Sequence, residues 1–215
     1  MAKAKIPTTA KNVLTPDQII LVETSMLEAI DVWITDWVKQ AGTEETFHPL
    51  AVQFERELGY WYLRLFIERG DGHIALSDCE VISRFLDEPV DAQMVSLLAS
   101  FSIKELPYSF EVSSPGLFRE LKTSRELEFF LGEPVEVSRE VASESKNTVK
   151  KNEIPERILL ATGILEGYQP GAVIIRTDSG DLATFNPQEP GLSIRLNPTI
   201  EENPLFLSKE SDNYD

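Results

Sequence analysis

The sequence predicts an α+β protein, in which a two-layer α/β domain is followed by a small all-β domain. Three observations lead to this fold class: a long helix with one apolar face after Thr15, apolar–polar alternation over three segments before residue 113, and five short strand-like segments between residues 135 and 196. A chain of 215 residues is long enough for two such domains.

The N-terminal domain is predicted to run in the order helix, strand, strand, helix, strand. Thr15 and Pro16 suit the N-cap and first position of a helix whose apolar face continues to Gly42. Alternation of apolar and polar residues predicts strands at 50–54, 61–67 and 108–112. Such an order builds a sheet with its helices on one side.

The second helix of this domain is predicted to begin at Ser77. Ser77 and Glu80 have the spacing of a capping box, in which each side chain accepts the other residue's backbone N–H. Pro89 is expected to end or kink the helix because proline has no amide hydrogen to donate.

The C-terminal half consists of short strands separated by turn residues. Thr123 and Glu126 form another capping box, which predicts a short helix before Gly132. The strand-like segments that follow are VEV, RILLATGILEG, AVIIR, DLATF and LSIRL. So many short strands in so small a region are typical of a small β-barrel.

These patterns divide the chain into four parts. We predict a flexible arm at 1–14, the N-terminal α/β domain at 15–121, the β-barrel at 122–199 and an acidic tail at 200–215. Within the barrel domain, the polar residues 142–156 predict a mobile loop.

Charge narrows the choice of partner. The chain has 20 Lys and Arg against 36 Asp and Glu, a formal net charge of −16. Because a net anion is repelled from naked nucleic acid at long range, a basic protein is the favoured partner. No apolar run approaches the roughly 20 residues of a membrane span. The single cysteine, Cys79, cannot form an internal disulfide, which favours the cytoplasm, and the chain is expected to act as a monomer.

The residue pattern predicts no enzyme, cofactor or metal site. The histidines, His48 and His73, have no local spacing that would couple them as a base to Ser113 or Ser114. No C-x-x-C or H-x-x-x-H spacing offers a set of metal ligands. We therefore expect a protein that acts by binding.

Three segments resemble one known family. They are WYLRLFIERGDGHIALSDCEVISRFLD, YSFEVSSPGLFRELKTSRELEFFLGEPVEV and TGILEGYQPGAVIIRTDSGDLATF. In this order and at this spacing they are similar to the bacterial ribosome maturation factor P (RimP) family. The chain departs from the family pattern at Phe118 and Glu120, where an Asp-Arg-Pro sequence is usual. The segments 88–107 and 142–156 also contain more residues than the corresponding segments of the family.

The resemblance implies an N-terminal domain with a KH-like layout and a C-terminal SH3-like or Sm-like barrel. It also implies a non-enzymatic factor that is required for assembly of the small (30S) ribosomal subunit. Its partners would be the immature small subunit, the small-subunit ribosomal protein of the decoding region and adjacent rRNA. The alternative is a stand-alone module that binds structured RNA.

The turn after the third strand is the candidate ribosome- or rRNA-binding site. The hydroxyls of Ser113 and Ser114, the amide of Gly116 and the guanidinium of Arg119 could together hold a backbone phosphate. A structural turn is the simpler interpretation, because Pro115 and Gly116 suit the centre of a type II turn. The two interpretations are compatible.

A second candidate surface lies on a hairpin of the predicted barrel. Arg176, Asp178 and Asp181 flank the turn between two strands and are candidate contacts to a ribosomal protein. A charged hairpin that is merely solvated is the alternative.

Overall fold

The computed structural model of the protein describes residues 14–42, 46–70, 74–141 and 156–198. The chain divides into two compact units, residues 1–115 and 116–215. The division expected after residue 121 therefore lies further along the chain than the boundary between the units. Except for their edges at Leu14 and Glu156, the predicted arm at 1–14, loop at 142–156 and tail at 200–215 lie outside the described residues.

Unit 1 has the predicted order of helices and strands. It consists of α1 (Pro16–Ala41), β1 (Phe47–Glu57), β2 (Tyr60–Arg69), α2 (Leu76–Ser100) and β3 (Tyr108–Ser113). The strand order is β1-β2-β3, with β1 antiparallel to β2 and β3 parallel to it. The α2 helix is the crossover that a parallel pair requires.

Local signals at both ends fix the limits of α1. Thr15 accepts the Gln18 amide at 3.2 Å, while the Gln18 side chain accepts the Thr15 amide at 2.9 Å, which completes a capping box. At the other end, Gly42 has a left-handed φ of 63°, which suits glycine after the last helical turn. Leu14, the last residue of the predicted arm, is buried in the core of the unit.

The start of α2 differs from the sequence prediction. The N-cap is Ala75, and the amide of Ala75 donates to the Asp78 carboxylate at 2.9 Å. Ser77 is thus already inside the helix, and the prediction of a Ser77–Glu80 capping box was wrong. Pro89 does not end the helix, because α2 continues to Ser100. The continuation carries the buried side chains Val90, Met94 and Leu98, whose burial favours the helix beyond the proline.

The core of unit 1 lies between the helices and one face of the sheet. The helices contribute a row of fully buried residues at helical spacing, and the strands contribute the inward-facing alternate residues. The buried residues include Val22, Met26, Ile30, Ile82 and Leu86 of the helices and Phe54, Leu63 and Leu65 of the strands.

Unit 2 is a short helix followed by an antiparallel sheet. Its elements are α3 (Ser124–Phe129), β4 (Pro134–Val141), β5 (Glu156–Gln169), β6 (Ala172–Thr177), β7 (Leu182–Phe185) and β8 (Leu192–Leu196). All pairings are antiparallel in the order β7-β6-β5-β4-β8. Within the described residues β7 and β8 form no ladder with each other, so closure into an SH3-like or Sm-like barrel stays a prediction.

The residues that follow the unit boundary are held on β8. The Leu121 amide donates to the Ile194 carbonyl at 2.8 Å, and the Leu196 amide donates to the Arg119 carbonyl at 2.9 Å. Glu120 forms an isolated bridge with Arg195 between these two bonds. Residues 119–121 therefore pair with the outer edge of β8 in unit 2. Among the helices that the structure describes, none has the length and apolar content needed to cross a membrane.

Candidate functional site

Ser113 and Ser114 lie at the end of β3 in unit 1. Ser113 is opposite Phe66 of β2, and both serines are exposed. The Ser113 hydroxyl donates to the Ser114 carbonyl at 2.9 Å. A hydroxyl that donates in this way is not sharing its proton with a general base, so the geometry favours a binding or turn role over a nucleophilic one.

Gly116 begins unit 2 with a backbone conformation that suits glycine. Its φ is 82°, as expected for the glycine of a type II turn. A Cβ placed there would meet no atom within 4 Å, so the space itself would admit a side chain. Glycine is favoured at this position for its backbone alone.

The side chain of Arg119 is turned into unit 2. The Arg119 Nε lies 2.8 Å and the Arg119 Nη2 lies 2.7 Å from the Oε1 atom of Glu126. The exposed fraction is 11% for the arginine side chain and 0% for the glutamate. Arg119 thus has a structural role in a buried ion pair, and any contact of Arg119 with rRNA stays a prediction.

Glu126 is the residue that sequence reasoning undervalued. The Oε2 atom of Glu126 accepts the amides of Lys122 and Thr123, both at 3.0 Å, and the Thr123 hydroxyl at 3.1 Å. Glu126 also completes the predicted capping box, because the Glu126 amide donates to the Thr123 hydroxyl at 3.1 Å. The box was visible in the sequence, but the pairing of its glutamate with an arginine seven positions earlier was not.

The four residues of the predicted site are divided between the units. Ser113 and Ser114 belong to unit 1, whereas Gly116 and Arg119 belong to unit 2. The end of a strand positions Ser113 and Ser114, whereas a turn positions Gly116 and a buried ion pair positions Arg119.

Arg176, Asp178 and Asp181 lie on the β6–β7 hairpin, as predicted, and are exposed. The Arg176 Nη2 donates to the Oε2 atom of Glu166 at 2.8 Å, and this carboxylate raises the pKa of Arg176. Asp178 accepts a hydrogen bond from the Thr162 hydroxyl. The carboxylates of Glu166, Asp178 and Asp181 outnumber the guanidinium of Arg176, so negative charge is in excess among these residues.

Hydrogen bonds across the hairpin turn hold it in one shape. The Thr177 amide and hydroxyl donate to the Asp181 carbonyl at 2.8 and 3.1 Å. The Ser179 hydroxyl donates to the Asp181 carboxylate at 3.1 Å, and Gly180 has a φ of 91°. The turn borders a shallow depression, which is lined by Leu160, Ala161, Thr162, Thr177, Asp178, Ser179 and Asp181. A partner would meet a preformed acidic hairpin.

A comparison with protein families connects this geometry to a known class of protein. Residues 37–118 match the family model of the RimP N-terminal domain. The chain contains a RimP N-terminal domain. The match confirms the resemblance inferred from the motifs and supports a role in ribosome maturation. It extends from the end of α1 past β3, so it includes Ser113, Ser114 and Gly116 but neither Arg119 nor the β6–β7 hairpin.

Proposed function

We propose that the protein is a maturation factor required for assembly of the small (30S) ribosomal subunit. It binds the immature subunit through a basic ribosomal protein of the decoding region and through adjacent rRNA. It acts by favouring one conformation of the precursor, without catalysing a reaction. The RimP N-terminal match over residues 37–118 is the observation that carries this proposal.

The charge of the chain supports a basic protein as the main partner. A net charge of −16 is attracted to cationic ribosomal proteins and repelled by bare phosphate backbones. On the precursor particle, the ribosomal proteins neutralise part of the rRNA charge, which lets an acidic factor approach the rRNA beside them.

We assign the proposed contacts as follows. Ser113, Ser114 and Gly116 are the proposed contacts to the ribosome or its rRNA, and Arg176, Asp178 and Asp181 are those to the ribosomal protein. Arg119, whose guanidinium is bound to Glu126, could reach rRNA only through the 11% of its side chain that is exposed. In this proposal unit 2 is an SH3-like or Sm-like barrel, and the protein works as a cytoplasmic monomer.

Sedimentation with purified ribosomal particles tests the proposal. The protein is expected to co-sediment with immature small subunits at physiological salt, and to bind mature subunits and protein-free rRNA much more weakly. Tight binding to protein-free rRNA with a steep salt dependence, and none to the particle, would instead establish a stand-alone RNA-binding module.

A charge-neutralising variant of the hairpin tests the contact to the ribosomal protein. Asp178→Asn with Asp181→Asn keeps oxygen acceptors at both positions but removes two charges. The matched control is Glu128→Gln with Glu133→Gln, which are exposed residues of the same unit. We expect the hairpin variant to bind immature subunits about tenfold more weakly and the control to bind nearly as the parent does. Equal binding by both variants would remove the hairpin from the interface.

A further inference from the structure

The sheet of unit 1 has one face that its helices leave uncovered. The alternate residues Phe54, Leu63 and Leu65 point to the helices and are buried. The residues between them point the other way. On this second face, strand pairing brings together Glu55 and Glu57 of β1, Tyr60, Tyr62 and Arg64 of β2, and Glu111 of β3, which we call the open sheet face.

Arg64 lies among the three carboxylates of the open sheet face. The Arg64 Nε is 2.7 Å from the Glu111 carboxylate, and the Arg64 Nη1 and Nη2 are 2.8 and 2.9 Å from the two oxygens of Glu57. Glu55 also pairs with Arg64 Nη1. The Tyr62 ring is 4.8 Å from Arg64 Cζ, a distance typical of a cation–π contact.

The charges of this cluster do not balance. One guanidinium faces three carboxylates, which are 43% to 48% exposed, so two negative charges remain in excess and in contact with solvent. Hydrogen bonds to Arg64 lower the pKa of Glu57 and raise that of Arg64, so both stay charged at neutral pH. The arginine holds the glutamates in defined positions, which reduces the entropy cost of binding a cation there.

Aromatic side chains extend the face and favour one kind of cation. Tyr60 is 70% exposed and lies on the same side of β2 as Tyr62 and Arg64. Exposed tyrosine rings stack on guanidinium groups, and carboxylates pair with them through two hydrogen bonds. Phosphate groups are repelled by the same carboxylates, so the chemistry of this face excludes nucleic acid as its occupant.

We propose that the open sheet face is a docking surface for an arginine- or lysine-rich segment of a partner protein. The inference rests on the proposed function, because it gives the basic partner a binding surface on unit 1 in addition to the hairpin of unit 2. The carboxylates of Glu55 and Glu111 pair with the incoming side chains, Arg64 keeps the glutamates in place, and Tyr60 provides a ring for stacking.

Binding of a cationic peptide by the full-length protein tests this surface. The probe is a fluorescein-labelled peptide of alternating arginine and serine residues, followed by fluorescence anisotropy. The test variant is Glu55→Gln with Glu111→Gln, which leaves the Glu57–Arg64 pair intact. The matched control is Glu28→Gln with Glu88→Gln, exposed residues of α1 and α2 that involve the same residue types and charge change.

We expect the test variant to bind the peptide about tenfold more weakly than the parent, and the control to change the affinity less than about twofold. Tyr60→Ser, which alters no charge, should weaken binding about threefold and provides a second test if the double variant fails to fold. Equal weakening by the test and control variants would show attraction to net charge only and would overturn the inference, as would the absence of peptide binding by the parent.

The same variants separate this inference from the proposed function. The test variant is also sedimented with immature small subunits, and the inference predicts weaker binding there too. Suppose that the parent binds the particles and that Glu55→Gln with Glu111→Gln binds both the particles and the peptide equally well. The inference about the docking surface is then wrong, whereas the proposed function is unaffected. If an RNA oligonucleotide binds the open sheet face more tightly than the peptide does, the inference that a basic protein segment binds there is wrong.

Discussion

Two arginines show how differently the two units use the same chemical group. In unit 1, the guanidinium of Arg64 is shared by three carboxylates on an exposed sheet face. In unit 2, the arrangement is inverted, because the single carboxylate of Glu126 is shared by Arg119 and by the donors of Lys122 and Thr123. The first cluster leaves negative charge for a partner, whereas the second has both charges matched and removed from solvent.

The difference is one of burial. A buried ion pair contributes little compared with an apolar replacement, but removing one partner leaves an uncompensated charge and is strongly destabilising. An exposed pair is screened by water and can lose a member at small cost. We therefore infer that Arg119 serves the fold of unit 2 and that the Arg64 cluster serves recognition.

The largest expected effect comes from removing each arginine in turn. Arg119→Gln should destabilise unit 2 by about 3–5 kcal/mol, because the Glu126 carboxylate stays buried without its cation. Arg64→Gln should destabilise unit 1 by only about 1 kcal/mol, because its glutamates are solvated. Arg84→Gln, at a side chain that is 78% exposed, is the control and should cost less than about 0.5 kcal/mol.

The two units can be followed separately in this experiment. The protein has three tryptophans, Trp33, Trp37 and Trp61, and all lie in unit 1, so denaturant unfolding followed by tryptophan fluorescence reports on that unit. Amide hydrogen exchange in β4–β6 reports on unit 2. Equal losses for Arg119→Gln and Arg64→Gln would contradict the contrast between them.

A smaller effect is expected from the two capping boxes. Thr123→Ala should cost about 1–2 kcal/mol, because the Thr123 hydroxyl bonds both the amide and the buried carboxylate of Glu126. Thr15→Ala should cost only about 0.5–1 kcal/mol, because Thr15 is exposed and its partner is the neutral Gln18. The same two probes measure each loss. An equal loss of stability in Thr123→Ala and Thr15→Ala would mean that the hydrogen bond from the Thr123 hydroxyl to the Glu126 carboxylate adds nothing to the N-cap bond.

The smallest effect concerns Glu23, a glutamate that pairs with no lysine or arginine among the described residues. Burial raises the pKa of Glu23, the Phe54 amide that donates to it at 2.8 Å opposes this, and the charge of Glu55 adds to the rise. A carboxyl whose pKa is higher in the folded state costs stability above that pKa, and the cost disappears below the pKa of the unfolded chain. Glu23→Gln should therefore stabilise unit 1 by less than about 0.5 kcal/mol at pH 7.

The sign of this effect can be checked by titration. Denaturant unfolding, followed by tryptophan fluorescence, should show that the advantage of Glu23→Gln shrinks as the pH falls through the raised pKa of Glu23 and is absent below about pH 4. Glu28→Gln, on the exposed side of α1, is the control and should show no such trend. An advantage that grows toward low pH would mean that the amide of Phe54, not burial, dominates at Glu23.

Most helices and strands could be predicted because their signals are local. Apolar periodicity, the capping residues Thr15 and Thr123 and the turn glycines lie within a few positions of the structure that they determine. On α2, the predicted cap at Ser77 was wrong, and of the two effects expected of Pro89, an end or a kink, the end does not occur. Asp78 bonds the Ala75 amide, so the helix starts before the hydroxyl that was expected to cap it, and packing of the residues after Pro89 keeps the helix continuous.

The charged clusters could not be predicted because they depend on contacts between distant segments. Arg119 was expected on a surface, and its burial follows from the pairing of residues 119–121 with β8, which is far away in sequence. The gathering of Glu55, Arg64 and Glu111 likewise requires the register of three strands. Single residues in a charged sequence give no sign of which ones the fold will bury.

The attachment of residues 119–121 to β8 determines where the chain can be cut. A C-terminal fragment that begins at residue 122, the boundary expected from sequence, would lack Arg119 and would leave the outer edge of β8 without hydrogen-bond partners. Bare strand edges recruit further copies of the same chain, so such a fragment should aggregate. A fragment that begins at Gly116 retains the covering segment and is the one to prepare for study in isolation.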